Sequence, residues 1–378
     1  MVYLPHNLRT MTKYIHERPD FPQFYWDNEQ LLTPLSEVRF LQGRILGKME
    51  SLGFSTQYES NLLLLETEVL SSGEIEGEIY KPAAVRSSIA KQIGDPFYDN
   101  QPTNQNIDGF VALLLDAFQN YKDELTTERI FSWHAALFPM GNSGLYPITV
   151  GGWRQDKRGP MQVVSGGIGN ENIHFEAPAA TLVPTLMEDF MKWLAEDTGQ
   201  DLVIKAAVAH LWFLTIHPFD DGNGRIARSI SESLLAKSEN CAMRCYSLSS
   251  QILSTVKSYY DLLEATQKGN LDCTNWLLWF IDILKKAIIH SETVISRSLQ
   301  KAEFWKTHQK TILNDRQLKM IQLLWNDFEG NLTTKKWAKI TKCSDDTALR
   351  DINDLIFKDI LYKEDKGSRS TSYKMRGF

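Results

Sequence analysis

The stretch from Leu202 to Arg228 constrains this chain more than any other. Leu202–Ile216 reads as an apolar helix that ends at His217, Pro218 breaks it, and Gly222-Asn223-Gly224 opens a second helix running to about Ser238. Two glycines permit a backbone in which successive N–H groups point at one spot, and a helix N-terminus adds partial positive charge there. The result is a cradle for an anion. Asp221, just ahead of it, can hold a divalent cation that bridges phosphate oxygens. Arg225 and Arg228 lie three apart and project to one side, where they can neutralise phosphate. His217, with an ordinary pKa of about 6.5, is the natural group to take a proton from an attacking hydroxyl. A lone Gly-x-Gly turn is usually structural, and a lone histidine at a helix end is usually a cap or a packed side chain. Here a base, a carboxylate, a glycine nest and two arginines fall within twelve residues, which favours nucleotide or phosphate chemistry.

Composition narrows the class. The 378 residues are enough for two to three domains, and 43% hydrophobic with 23% charged residues describes an ordinary globular chain. Forty-one Lys+Arg against 47 Asp+Glu leave a net charge of −6, which excludes a nucleic-acid binder that works through whole-chain charge. Cys241, Cys245, Cys273 and Cys343 have neither paired metal spacing nor the density of a disulfide scaffold, as expected in a reducing compartment. The first residues are too polar for a signal peptide, and the apolar runs fall well short of the roughly 20 residues that span a bilayer. A cytoplasmic protein with no membrane partner is expected.

Periodicity gives a mainly α fold. Apolar residues three and four apart predict helix from about Leu31 to Leu70, from Asn106 to Tyr121, and from Thr127, a candidate N-cap, to Phe138. Eight glycines between 141 and 169 then punctuate short β-prone runs, Met161-Gln162-Val163-Val164 and Asn172-Ile173-His174-Phe175, which read as a hairpin flap between helices. Helix resumes over Ala180–Ala195 and again from about Asn275 to Thr311. Past a boundary near Asn314, three short helices precede a segment alternating around a Lys-Gly-Ser-Arg turn, like a two-stranded wing. The expected divisions are an N-terminal helical region (1–99), a catalytic core (100–290), a linker helix (291–313) and a small C-terminal domain (314–378).

The run His217-Pro218-Phe219-Asp220-Asp221-Gly222-Asn223-Gly224-Arg225-Ile226-Ala227-Arg228 resembles the hallmark of the Fic family, His-Pro-Phe-x-Asp/Glu-Gly-Asn-Gly-Arg-x-x-Arg, at every fixed position. With the upstream helices and flap, the resemblance covers about residues 100–290. It implies a Fic-type helical core that transfers AMP from ATP to a Ser, Thr or Tyr hydroxyl of a protein, releasing pyrophosphate. It implies further that His217 is the base, Asp221 the Mg2+ ligand, and Asn223 a contact to the α-phosphate. Gly222 and Gly224 would lend backbone N–H groups, Arg225 would bind the β-phosphate and Arg228 the γ-phosphate. The flap fits the same role, because a target peptide can add as a strand to an exposed hairpin edge. Gly152-Trp153-Arg154 resembles the family's element ahead of the flap and serves as support only. His210 and His134 read as packing residues.

Ser72-Gly73-Glu74-Ile75-Glu76-Gly77 resembles the family's inhibitory motif, Ser/Thr-x-x-x-Glu-Gly/Asn. Its logic is that a carboxylate, Glu76, pairs with Arg228 and withholds it from the γ-phosphate; the bland alternative is a solvated acidic run of Glu74, Glu76 and Glu78. The first 70 residues resemble the region found ahead of such proteins in bacteria. Residues 314–378 carry 13 Lys+Arg and 10 Asp+Glu, a net of +3, and resemble a winged helix-turn-helix with Ser344–Ile356 as recognition helix and Lys363, Lys366, Arg369 and Lys374 in the wing. Asp345, Asp346, Asp351 and Asp354 make that helix acidic, which favours protein docking or dimer stabilisation over DNA. The expected partners are ATP and a protein with an exposed hydroxyl, the chain itself or a second copy included. The alternatives are another transfer on the same scaffold, or a DNA-binding transcription regulator whose core senses nucleotide.

Overall fold

The computed structural model describes residues 13–94 and 103–376, apart from 158, 167–171, 198, 244, 326–327, 329 and 365–370. Asp27 starts the first helix by accepting backbone N–H groups of Glu29 and Gln30. The helical series expected from Leu31 to Leu70 is two helices, α1 (Asn28–Glu50) and α2 (Phe54–Ile75). They part at Ser51-Leu52-Gly53, where glycine makes continued helix least favourable. Then come α3 (Pro82–Gln92), α4 (Gln105–Gln119) and α5 (Thr127–Leu137). The cap of α5 is Thr126, not Thr127: its hydroxyl accepts the Arg129 N–H at 3.2 Å.

Two small antiparallel hairpins follow, β1 (Asn142–Ser143) with β2 (Tyr146–Pro147), and β3 (Gln162–Ser165) with β4 (Asn172–Glu176). The second is the flap; Gln162 faces Glu176 and Ser165 faces Asn172, with an irregularity between Val163 and Val164. A 3-10 turn at Ala180–Leu182 leads into α6 (Val183–Ala195), and α7 (Leu202–Ile216) and α8 (Asn223–Glu239) complete the centre. After α9 (Leu248–Ser254) and α10 (Val256–Gln267), the long α11 spans Thr274–Thr307.

The chain divides into two compact units within α11, after Thr293. In the first, α7 is the axis of the core. Every residue from Val203 to Ile216 is buried, as expected of a helix apolar on all sides, and α8 packs along it. The indole N–H of Trp276 donates to the Ala207 carbonyl at 2.8 Å and ties α11 to the same axis. The second unit holds α12 (Asp315–Trp325), α13 (Thr334–Thr341), α14 (Asp345–Phe357) and an antiparallel pair, β5 (Leu361–Lys363) and β6 (Tyr373–Met375). It has its own core, in which Trp337, Met320, Ile352 and Leu355 are buried. The fold is mainly α with small antiparallel sheets. Among the described residues no helix is long and apolar enough to cross a membrane.

Candidate active site

The helix α7 ends where His217 takes φ +52°, a left-handed conformation that a residue with a side chain adopts rarely. Arg154, whose side chain is wholly buried, holds that strained turn. Its Nε donates to the His217 carbonyl at 2.7 Å, its backbone N–H to the Pro218 carbonyl at 3.0 Å, and its guanidinium also reaches the Pro178 carbonyl and the Asp156 carboxylate. The Nδ1 of His217 lies 3.4 Å from the Leu214 carbonyl, which can only accept, so the proton is assigned to Nδ1 and Nε2 keeps its lone pair. Burial, with Arg154 adding to it, pushes the imidazole down to about 4, which leaves it neutral at pH 7.

His217 lines a cavity of about 530 Å³ together with Asp220, Asp221, the Gly222-Asn223-Gly224 turn, Glu76 and the flap. Asp220 accepts the Thr149 N–H at 2.8 Å; Asp221 accepts the Ser143 hydroxyl and the Gly222 N–H. Gly222 has φ +83°, and a Cβ there would stand 2.9 Å from the Phe138 ring. The Asn223 carboxamide grips the loop, accepting the Phe219 N–H at 3.0 Å and donating to the Phe219 carbonyl at 2.9 Å. The first turn of α8 leaves backbone N–H groups without intrahelical partners, the feature that makes such a helix start an anion site.

The arginines of α8 meet the end of α2. Arg228, 1% exposed, donates Nε to the Ser72 hydroxyl at 2.8 Å, and Nη2 to the Ser72 carbonyl at 3.1 Å and to Glu76 Oε1 at 2.8 Å. Glu76 caps α2, and Gly77 leaves the helix at φ +79°. Contact is close enough that a Cβ on Gly224 would lie 2.2 Å from Glu76 Oε1. Ser72 and Glu76 are thereby brought to the loop across more than 150 residues of sequence. Arg225 donates to Glu78 at 3.0 Å and lies over the Phe138 ring at 5.1 Å; only the acidic spacing Glu76-Gly77-Glu78 signalled that second contact.

The flap residues divide. Val164 and Ile173 are exposed, whereas Phe175 is buried and packs edge-on against Tyr14, with Met161 and Val163 beside it. His174 Nδ1 lies 2.6 Å from Glu264 of α10 and its Nε2 2.6 Å from the Ser165 hydroxyl. Gln162 pairs with Glu176 at 2.7 Å. Tyr259, Tyr260 and Glu264 also line the cavity and were not singled out from sequence; α10 carries no motif, and only folding brings it there.

The two packing histidines sit in the core. His134 stacks on Phe219 at 4.1 Å and is pushed down to about 4 by burial; His210 lies between Ser231 and Tyr259 and is pushed down to about 3 by burial, with Arg228 adding to it. In the second unit, Lys374 pairs with Glu364 at 2.7 Å, while Lys366 and Arg369 lie outside the described residues.

A helical core that presents a histidine, a carboxylate and two arginines around a helix N-terminus carries the donors and charges that suit a phosphate. The family comparison agrees: residues 124–235 match the Fic/DOC family, and this chain carries a Fic domain. Residues 14–94 match a domain of unknown function, DUF4172. A protein of Aquifex aeolicus named "Probable protein adenylyltransferase" is 36% identical over 63 residues, 17% of this chain and 20% of that protein. This chain therefore spans about a fifth of that relative's length. Two solved structures share the fold: a Fic family protein from Desulfovibrio desulfuricans (TM-score 0.53, 18% identity, 94% of this chain and 98% of that one) and a Fic domain containing signaling protein from Bacteroides thetaiotaomicron (TM-score 0.53, 18% identity, 71% and 98%).

Proposed function

We propose that this chain is a self-inhibited protein adenylyltransferase that moves AMP from ATP to a Ser, Thr or Tyr hydroxyl of a protein. The observation that carries the reading is the 2.8 Å pair between the buried Arg228 and Glu76, a carboxylate that lines the same cavity as His217. The Fic domain and the name of the Aquifex relative support the same chemistry.

In this reading the first turn of α8 receives the α-phosphate region on its N–H groups, and Arg225 and Arg228 neutralise the β- and γ-phosphates. His217, neutral and with Nε2 free, takes the proton of the incoming hydroxyl as oxygen attacks the α-phosphorus and pyrophosphate leaves. The exposed edge of the flap holds the target as an added strand. Among the described residues no three His, Cys, Asp or Glu side chains form a metal cage. Asp221 alone suits a Mg2+ ion that arrives on the triphosphate, since such an ion takes one or two carboxylates with substrate oxygens. When bound, the ion supplies positive charge for the departing pyrophosphate.

With Glu76 on Arg228, ATP seats in a non-productive pose. The second unit is proposed as a protein-docking or dimer-stabilising module, because the exposed Asp345 and Asp346 give the first turn of α14 the wrong sign for a nucleic-acid backbone. The test is mass spectrometry of cell extract incubated with ATP and the Glu76→Gly variant. One protein gaining AMP is the expected result; no adduct on any protein, the enzyme included, contradicts the reading.

A further inference from the structure

The inhibitory resemblance ends at Gly77, yet the chain continues into a contact that it does not cover. After Gly77 the backbone folds back on α2: the Glu78 N–H donates to the Gly73 carbonyl at 2.9 Å, and the ring of Tyr80 lies against Gly73 so closely that a Cβ there would stand 2.6 Å from it. The Tyr80 hydroxyl donates to the Glu78 carboxylate, and burial together with that carboxylate raises the phenol, so it stays protonated as a donor. Glu78 is thus held on two sides, and its other oxygen accepts Arg225 Nη1 at 3.0 Å. The Arg225 side chain is only 3% exposed, and its Nε is buried with no partner among the described residues. A buried guanidinium offers a fork of N–H donors, and a phosphate would have to compete with the Glu78 carboxylate for it.

We propose that Glu78 is a second, independent lock on the nucleotide site: it occupies Arg225 as Glu76 occupies Arg228, so the turn 76–80 presents two carboxylates to the two arginines that would take phosphates. This rests on the adenylyltransferase reading and adds to it a distinct residue, a distinct arginine and a distinct phosphate. Glu76 competes with the γ-phosphate, and Glu78 competes with the β-phosphate. Tyr80 is the positioning residue that keeps Glu78 in place. Removing Glu76 alone leaves Arg225 engaged, so the released enzyme is only partly released.

The second lock is read out by binding, without turnover. Affinities of AMP, ADP and ATP are measured by calorimetry for the wild type, Glu78→Gln, Tyr80→Phe and, as an exposed acidic control, Glu74→Gln. The ADP-to-AMP preference reports the β-phosphate alone. It should be near one in the wild type and in Glu74→Gln, rise about tenfold in Glu78→Gln, and rise by a smaller factor in Tyr80→Phe. In turnover, Glu76→Gly/Glu78→Gln should exceed Glu76→Gly. An unchanged ADP-to-AMP preference in Glu78→Gln, with Glu76→Gly still activating transfer, overturns the second lock and leaves the adenylyltransferase reading standing. Failure of all three nucleotides to bind any folded variant overturns both.

Discussion

His217 combines a strained backbone with a side chain whose tautomer is set by a carbonyl three residues back. A base held at about 4 is neutral across the whole neutral range, so the acid limb of kcat/KM for AMP transfer should lie well below the ordinary histidine value of about 6.5. An acid limb at 6.5 or above would contradict a depressed imidazole at this position. His217→Ala should lose roughly 10²–10⁴-fold in transfer while ATP still binds, because the base acts on the incoming hydroxyl and not on the nucleotide. Gly222 is tested by stability. With φ +83° and the Phe138 ring 2.9 Å from the position a methyl group would take, Gly222→Ala should cost about 1–3 kcal/mol in urea unfolding. A cost below the scatter of the measurement would mean that the turn relaxes freely.

At the scale of elements, the decisive juxtaposition is the end of α2 against the start of α8. The loop between α7 and α8 was legible in the sequence because all its parts are local: helix, proline, glycines and arginines follow one another within twelve residues. The flap strands were legible for the same reason, since β-prone runs and glycines alternate there. Arg154 ranked only as support because its work is to bind the carbonyls of His217 and Pro218 more than 60 residues away, and spacing carries no trace of that. Glu78 was hidden in an acidic run for the same reason, 147 residues from Arg225. The break at Gly53 was masked by apolar residues on both sides, which keep a helical period through the turn. The flap is tied to α10 by the 2.6 Å contact of His174 with Glu264, where each side chain is 30% exposed. Losing that tether with Glu264→Ala should raise KM for a protein target by a few-fold and change ATP affinity less, since the contact orients the strand that receives the target. An effect on ATP affinity of equal size would place the tether's role at the nucleotide instead.

At the scale of the whole first unit, three histidines are held in their neutral form. His134, His210 and His217 all lie below 6.5 in the folded chain, at about 4, 3 and 4. Between pH 6.5 and about 4 the unfolded chain therefore binds more protons than the folded one, and stability must fall as pH falls through that window. The melting temperature should drop steadily from pH 7 to pH 4, and His210→Asn, which keeps a polar group on the Ser231 side without a titrating ring, should flatten part of that slope. A slope unchanged in that variant would assign the acid sensitivity to other groups. In the proposed mechanism one arginine, Arg228, is shared between an internal carboxylate and a phosphate. That sharing is tested most directly by turnover of the purified chain with ATP and Mg2+ in three forms: wild type, Glu76→Gly and Glu76→Gly/Arg228→Ala. AMP incorporation should rise strongly in Glu76→Gly and return to background when Arg228 is also removed. Equal turnover of the wild type and Glu76→Gly would contradict that sharing and leave the Glu76–Arg228 pair as a purely structural contact.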